Sequence, residues 1–117
     1  MNIKKTPWSE VFAAGATVIR GTGNPLGEKL WNEMSASEDV FTESHDLIKT
    51  HVCEVTPEMG YAVFSSHSKF TYKGIPNDDL AVWTMVAKPI DGEWKIICAQ
   101  RSTGRGPDDA PPNFDDL

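Results

Sequence analysis

The side chain best suited to chemistry in this sequence is an arginine near its end, Arg101. It follows Ile97 and Ala99 on a predicted strand whose other neighbours are largely apolar. A guanidinium in such surroundings needs a partner for its charge. Two kinds of partner are possible: an internal carboxylate such as Glu54 or Asp79, or the carboxylate of a bound ligand. Arginine can bind a carboxylate with two parallel hydrogen bonds.

Three histidines form the second group of candidates. His45, His51 and His67 lack the spacing of metal ligands, and the favoured interpretation is that they are partly buried and hydrogen-bonded to neighbours. Two strand histidines and a carboxylate could bind a metal only if they converged. The Ser65-Ser66-His67 run alternates between strand faces, so no Ser-His-Asp triad is predicted. We therefore expect no metal site.

Other polar and aromatic side chains leave alternatives open. Arg20, at a strand end, could pair with an acid of the C-terminal segment or face a pocket. Asp79 could be a general base, although adjacent acids more often cap a turn or face water. Trp83 and Trp94 are more typical of a core or an interface than of a ligand-stacking site.

Composition excludes several classes of protein. The chain has 117 residues and a formal net charge of −6, which disfavours nucleic acid as a partner. No apolar run approaches the roughly 20 residues that span a bilayer, and no apolar segment follows Lys4 and Lys5 as in a signal peptide. We expect a cytoplasmic protein. Cys53 and Cys98 lie in strand patterns and are expected to be buried free thiols, a disulfide being the less favoured alternative.

One domain is predicted over residues 1–106. Residues 107–117 form an acidic, proline-rich tail that is expected to be mobile. The predicted elements are a short helix from Thr6 to about Ala14, a strand Ala16–Arg20, a helix from Leu26 to about Ser35, and strands Asp46–Val55, Tyr61–Tyr72, Leu80–Lys88 and Trp94–Ser102.

The order of these elements predicts an α+β fold. Asp91-Gly92 between two apolar runs is a strong signal for a tight hairpin turn, whereas residues 73–78 are predicted to be a loop. The four last strands are expected to be consecutive antiparallel neighbours in one curved sheet. The helix with Leu30 and Trp31 on its apolar stripe would cover one face of that sheet.

Five stretches together resemble the nuclear-transport-factor-2-like superfamily, and SnoaL-like proteins in particular. They are Ile19-Arg20 before the Gly23-Asn24-Pro25 turn, the helix with Leu30-Trp31, the run from His67 to Gly74 leading into Asn77-Asp78-Asp79, the hairpin Asp91–Ile96, and Gln100-Arg101-Ser102. The last two are similar to the association domain of calmodulin-dependent kinase II. The resemblance implies a cone-shaped sheet of cystatin-like topology, with a helix on its concave face and one deep pocket. It implies that Arg101 lines the pocket, with His67 near the position of a second cavity arginine.

The sequence departs from that family at its start. Typical members have about two more helices before the first strand, and ketosteroid isomerase carries a catalytic tyrosine there. No tyrosine precedes Tyr61 here, so the isomerase chemistry is not carried over. The sheet surface left uncovered predicts a homodimer.

These observations predict a small-ligand-binding or oligomerisation domain that uses no cofactor. Its pocket would take a small, partly apolar carboxylate and would be lined by Arg101, His67, Arg20, Trp31 and Trp83. Because a histidine titrates near pH 6.5, such binding should strengthen below that pH. The alternative is a cofactor-free SnoaL-like isomerase, hydrolase or cyclase acting on a small apolar molecule. The binding and the enzymatic hypotheses differ in one respect: only the enzyme requires a base–acid pair with opposed pKa shifts inside one pocket.

Overall fold

The computed structural model describes residues 7–21 and 23–102. The predicted tail, residues 107–117, lies outside them. The elements, in chain order, are α1 (Trp8–Val11), β1 (Phe12–Ile19), β2 (Pro25–Leu26), α2 (Glu28–Ala36), β3 (Val40–Val55), β4 (Gly60–Tyr72), β5 (Ile75–Ile90) and β6 (Glu93–Ser102).

The described strands form one open, curved sheet in the order β2-β1-β6-β5-β4-β3. Strands β3, β4, β5 and β6 are consecutive antiparallel neighbours, which confirms the predicted arrangement. Strand β1 pairs with β6 in parallel, so the sheet is mixed rather than purely antiparallel. From β1 the chain passes through β2 and α2 to β3, at the opposite edge of the sheet. The hairpins between β3 and β6 then bring the chain back, so that β6 lies beside β1 and parallel to it.

Two short turns join the long strands. Asp91 and Gly92 have φ values of 52° and 82°, as the two central positions of a tight hairpin turn require. Lys73 and Gly74 have φ values of 49° and 78° and form an equivalent turn. The prediction of a loop over residues 73–78 is therefore wrong, because β5 already begins at Ile75.

Aromatic packing shifts the first elements from their predicted bounds. The predicted helix to Ala14 ends at Val11, and Phe12 opens β1. The Phe12 ring stacks on Trp8 with centroids 4.2 Å apart, which places both rings in the core. Likewise Leu26 belongs to β2 and is buried, so α2 starts only at Glu28. Tertiary burial has overridden local propensity at both places.

The core lies on one side of the sheet, where α2 packs, and we call this side the helix face. Its buried members are Trp8, Phe12, Val18, Leu26 and Ala99, with Leu30 and Trp31 of α2 packed against them. Strand register assigns to the helix face Phe64, Ser66, Ser68, Phe70 and Tyr72 of β4, Asp79, Ala81 and Trp83 of β5, and Ala99 and Arg101 of β6. The alternating residues of these strands lie on the opposite side, the outer face.

The cysteines differ from their prediction in one respect. Cys53 and Cys98 are free, but both are exposed. Cys98 pairs with Val86 on the outer face, and Cys53 lies near one end of the edge strand β3. Both thiols are therefore exposed within the described part of the chain. In the part of the chain described, no helix is long and apolar enough to cross a membrane.

Candidate functional site

Arg101 forms an ion pair with Asp79 on the helix face. A guanidinium nitrogen, Nη2, donates to Oδ2 of the carboxylate. The two side chains are 22% and 29% exposed, and the guanidinium lies 5.8 Å from the centroid of the Trp83 ring. Of the two kinds of partner considered for Arg101, the structure shows an internal carboxylate, that of Asp79. A ligand that bound Arg101 through a carboxylate would have to compete with Asp79 for the same donor.

His67 lies on the other side of the sheet. On β4 it is three residues from Phe64, which pairs with Trp83 of the helix face, so alternation turns His67 to the outer face. There its Nε2–H donates to Oδ1 of Asp78. This hydrogen bond, with the nearby charges of His67 and Lys69, lowers the pKa of Asp78, against a smaller opposing effect of burial. Arg101 and His67 therefore do not face one cavity, and that part of the prediction is wrong.

The two tryptophans of the predicted pocket have different surroundings. Trp31 packs edge-on against Trp8 and Phe12, with ring centroids 5.9 and 5.5 Å away, and it stabilises the core. Trp83 is partly buried beside that core, and its indole Nε1 is buried without a hydrogen-bond partner among the described residues. Indole N–H groups usually find a partner when buried. Of the two, Trp83 is the one with unused hydrogen-bonding capacity.

Arg20 is placed at a cavity by the turn that follows β1. Its backbone N–H donates to the Asn24 carbonyl at 2.9 Å, and its own carbonyl accepts from Gly23 at 2.8 Å. These bonds hold Arg20 at the end of β1, opposite α2. Its Nε is buried and has no hydrogen-bond partner within the described residues. A charged donor left unpaired in this way is costly, which marks the position as a candidate binding point.

The cavity at Arg20, which we call the Arg20 cavity, lies between α2 and the helix face of β4 and has a volume of about 440 Å³. Four of its eight lining residues are apolar or aromatic, and four are polar or charged. Apolar lining comes from Leu30, Met34, Phe70 and Tyr72, and polar lining from Arg20, Glu33, Ser37 and Asp39. The volume lies within the range of small-molecule sites.

A second cavity, the β3 cavity, lies on the same face at the far side of the sheet and has a volume of about 330 Å³. It is lined by His45, Leu47, Thr50, Phe64 and Ser66. Sequence reasoning missed it because strict alternation assigns Leu47 and Thr50 to opposite faces. The shift in the β3–β4 register between Leu47 and Lys49 brings them to one side, opposite Ser66 and Phe64.

The residues described contain no cluster of three or more histidine, cysteine or acidic side chains that could hold a metal ion. The helix face carries polar and charged side chains beside its cavities. They include a paired arginine and an arginine with a free donor.

Comparison with known proteins identifies the family. A family model described as a protein of unknown function, DUF3804, matches residues 5–109. No curated protein matches the chain. The structure of a nuclear-transport-factor-2-like protein of unknown function from Prochlorococcus sp. NATL2A is 39% identical, with a TM-score of 0.77. That match covers 85% of this chain and 78% of the other.

More distant structures share the fold. A ketosteroid isomerase-like protein from Shewanella frigidimarina is 20% identical, with a TM-score of 0.60 over 80% of this chain and 78% of that one. The association domain of calmodulin-dependent kinase II from C. elegans is 13% identical, with a TM-score of 0.58 over 80% and 75% of the two chains. The match over residues 5–109 and the 39% identical relative together show that the chain belongs to the DUF3804 family and has the nuclear-transport-factor-2-like fold.

Proposed function

We propose that this protein binds a small, partly apolar carboxylate in the Arg20 cavity. The observation that carries the proposal is the buried Nε of Arg20, which has no partner among the described residues and lies at a cavity of about 440 Å³. A carboxylate satisfies a guanidinium better than a neutral acceptor because the hydrogen bonds are charge-assisted and the two groups match in shape. The proposal moves the anion contact from Arg101, which Asp79 already holds, to Arg20.

The rest of the Arg20 cavity sets what the carboxylate can be attached to. Leu30, Met34, Phe70 and Tyr72 offer apolar contact for a hydrocarbon or aromatic body. Glu33 and Asp39 also line the cavity, and their negative charge opposes a second anionic group on the ligand. The preferred ligand is accordingly a monocarboxylate, and dicarboxylates or phosphates should bind more weakly.

Calorimetric titration with matched compounds tests the proposal. The panel is 3-phenylpropanoate, 3-phenylpropanol and the dicarboxylate phenylsuccinate, each titrated into wild type, Arg20→Met and Arg101→Met. We expect Arg20→Met to weaken 3-phenylpropanoate binding about 30-fold, as for loss of a charge-assisted hydrogen bond worth about 2 kcal/mol. Arg101→Met is the matched control and should bind as wild type does.

Two results would contradict the proposal. One is equal binding of 3-phenylpropanoate by wild type and Arg20→Met. The other is no binding of 3-phenylpropanoate to the wild-type protein at millimolar concentration. Tighter binding of phenylsuccinate than of 3-phenylpropanoate would be consistent with a site at Arg20 but would contradict the preference for monocarboxylates.

The enzymatic alternative needs a base–acid pair inside one cavity. Asp78, the carboxyl group whose pKa is lowered, is paired with His67 on the outer face, away from both helix-face cavities. Asp79, the candidate base, is engaged with Arg101. These positions favour binding over catalysis.

We also propose that the protein forms a homodimer through the outer face of the sheet. No helix of the described residues packs on that face, where Tyr61 and Leu80 are 41% and 37% exposed. They lie among the partly buried Val63, Val82 and Val86, and symmetric pairing of two copies would cover this surface. The fold neighbour named as an association domain is consistent with such a role.

Sedimentation equilibrium at micromolar protein tests the dimer. Wild type should sediment as a dimer, and Leu80→Lys should shift it toward the 12.9 kDa monomer by placing a charge in the apolar interface. A wild-type protein that remains monomeric over the whole concentration range would contradict the proposal.

A further inference from the structure

We infer that the β3 cavity is a second binding site, separate from the Arg20 cavity, that takes an uncharged small molecule carrying a hydrogen-bond acceptor such as a ketone or amide carbonyl. The inference goes beyond the proposed carboxylate binding and rests on different residues. It stands on a buried hydroxyl that lacks a partner, on a second donor at the rim, and on a lining without fixed charge.

The buried hydroxyl belongs to Ser66. The residue is 1% exposed, it lines the cavity, and its Oγ has no hydrogen-bond partner among the described residues. Buried polar groups in folded proteins are almost always hydrogen-bonded. A serine hydroxyl can rotate its hydrogen toward an acceptor, so an acceptor in the cavity would satisfy it. Strand β4 fixes Ser66 in this place, between Leu47 of β3 and Ala81 of β5.

The second donor comes from His45 at the rim. Its Nδ1 lies 2.7 Å from Oγ of Ser68, which is itself 7% exposed. With the Ser68 hydroxyl donating to Nδ1, the neutral imidazole carries its proton on Nε2. In this tautomer, which is part of the inference, the Nε2–H is available to a ligand. In that tautomer, Ser66 and His45 each supply a donor to the lining of the cavity.

The lining decides the charge of the ligand. The five residues around the cavity are His45, Leu47, Thr50, Phe64 and Ser66, none of which carries a fixed charge. An ionised ligand would find no counter-charge among these residues. Leu47 and Phe64 provide apolar contact for the body of the molecule. A compact, neutral carbonyl compound fits these features, whereas a carboxylate is better served at Arg20.

NMR titration with cyclohexanone and cyclohexanecarboxylate tests the assignment, since the two share a ring and differ in charge. Cyclohexanone should shift resonances of Leu47, Phe64 and Ser66. Ser66→Ala should weaken cyclohexanone binding on the order of fivefold, as for loss of one neutral hydrogen bond. Ser65→Ala is the matched control: Ser65 is 4% exposed on the outer face, with its Oγ 3.5 Å from the Lys49 carbonyl, and it should leave binding unchanged.

A second variant keeps the test decisive if Ser66→Ala folds poorly. His45→Phe removes the rim donor at an exposed residue and should weaken cyclohexanone binding to a similar extent. The inference is overturned if cyclohexanone causes no shifts at the β3 cavity, or if Ser66→Ala and His45→Phe bind it as tightly as wild type. Binding of the ketone without binding of any carboxylate would refute the proposed function and leave this site standing.

Discussion

The ion pair between Arg101 and Asp79 should contribute to folding rather than to ligand binding. Neighbouring strands β5 and β6 hold the two side chains on the helix face, beside Trp83. Replacing Arg101 with methionine keeps much of the apolar stem over Trp83 but removes the charge. Asp79 would then be a largely buried carboxylate without its guanidinium, which is the unfavourable state.

The magnitude follows from the burial of the pair. Exposed ion pairs contribute about 0.2–1 kcal/mol, and loss of one partner from a fully buried pair costs about 3–5 kcal/mol. With side chains 22% and 29% exposed, Arg101 and Asp79 lie between these limits. We therefore expect Arg101→Met to lower the free energy of unfolding by about 2 kcal/mol. For a domain of this size that is a fall in Tm of about 8 °C.

A double-mutant cycle in urea measures this contribution directly. The four proteins are wild type, Arg101→Met, Asp79→Asn and the double variant, and the expected coupling free energy is at least about 1 kcal/mol. The double variant should be less destabilised than the sum of the single variants because neither charge is left alone. A coupling below about 0.3 kcal/mol would refute the reasoning and make the Arg101 guanidinium available to a ligand.

Three further predictions follow from other parts of the sheet. The hydrogen bond from His67 lowers the pKa of Asp78 from its ordinary value of 3.8, so its stabilising effect is complete above pH 3.8 and is lost as the pH falls through the lowered value. In a carboxyl NMR titration, His67→Gln should return the Asp78 pKa toward 3.8, and an unchanged pKa would contradict this. Because Cys53 and Cys98 are both exposed, a thiol reagent should modify two thiols per native chain, and fewer would contradict the described fold. Gly92→Ala should lower the free energy of unfolding in urea by about 1 kcal/mol, because the φ of 82° is unfavourable for a residue with a Cβ; no loss would argue against the turn.

Local turn chemistry made the order of the long strands predictable. Asp91-Gly92 is a characteristic hairpin signal, and the β5–β6 pairing follows it. Lys73-Gly74 makes an equivalent turn, but lysine is not a typical turn residue there. Pro76 and the polar residues after it also suggested a loop, although proline is tolerated at the start of a strand.

Side-chain direction along β3 could not be predicted from alternation alone. A strict period of two assigns Leu47 and Lys49 to the same face. The register shift between them places Leu47 opposite Ser66 on the helix face and Lys49 opposite Ser65 on the outer face. Such irregularities depend on how the partner strand twists, which a single sequence does not reveal. The β3 cavity was missed for this reason.

Long-range pairing decided which arginine has a free donor. Arg101 and Asp79 are separated by 22 residues, and their contact depends on the β5–β6 register. The sequence predicted Asp79 as one of two internal partners but could not choose between a partner in the protein and a ligand. Arg20 was predicted to pair with the tail or face a pocket, and the structure places it at a cavity. The choice required the tertiary arrangement of α2 against β4.

The central claim is that Arg20 holds a carboxylate between α2 and β4, and a crystal structure of the complex with 3-phenylpropanoate tests it most directly. We expect the carboxylate within hydrogen-bond distance of the Arg20 guanidinium, with the phenyl ring against Leu30 and Phe70. The Arg101–Asp79 ion pair should remain intact. A ligand that displaces Asp79 and binds Arg101, or one that leaves the Arg20 cavity empty at saturating concentration, would contradict the account.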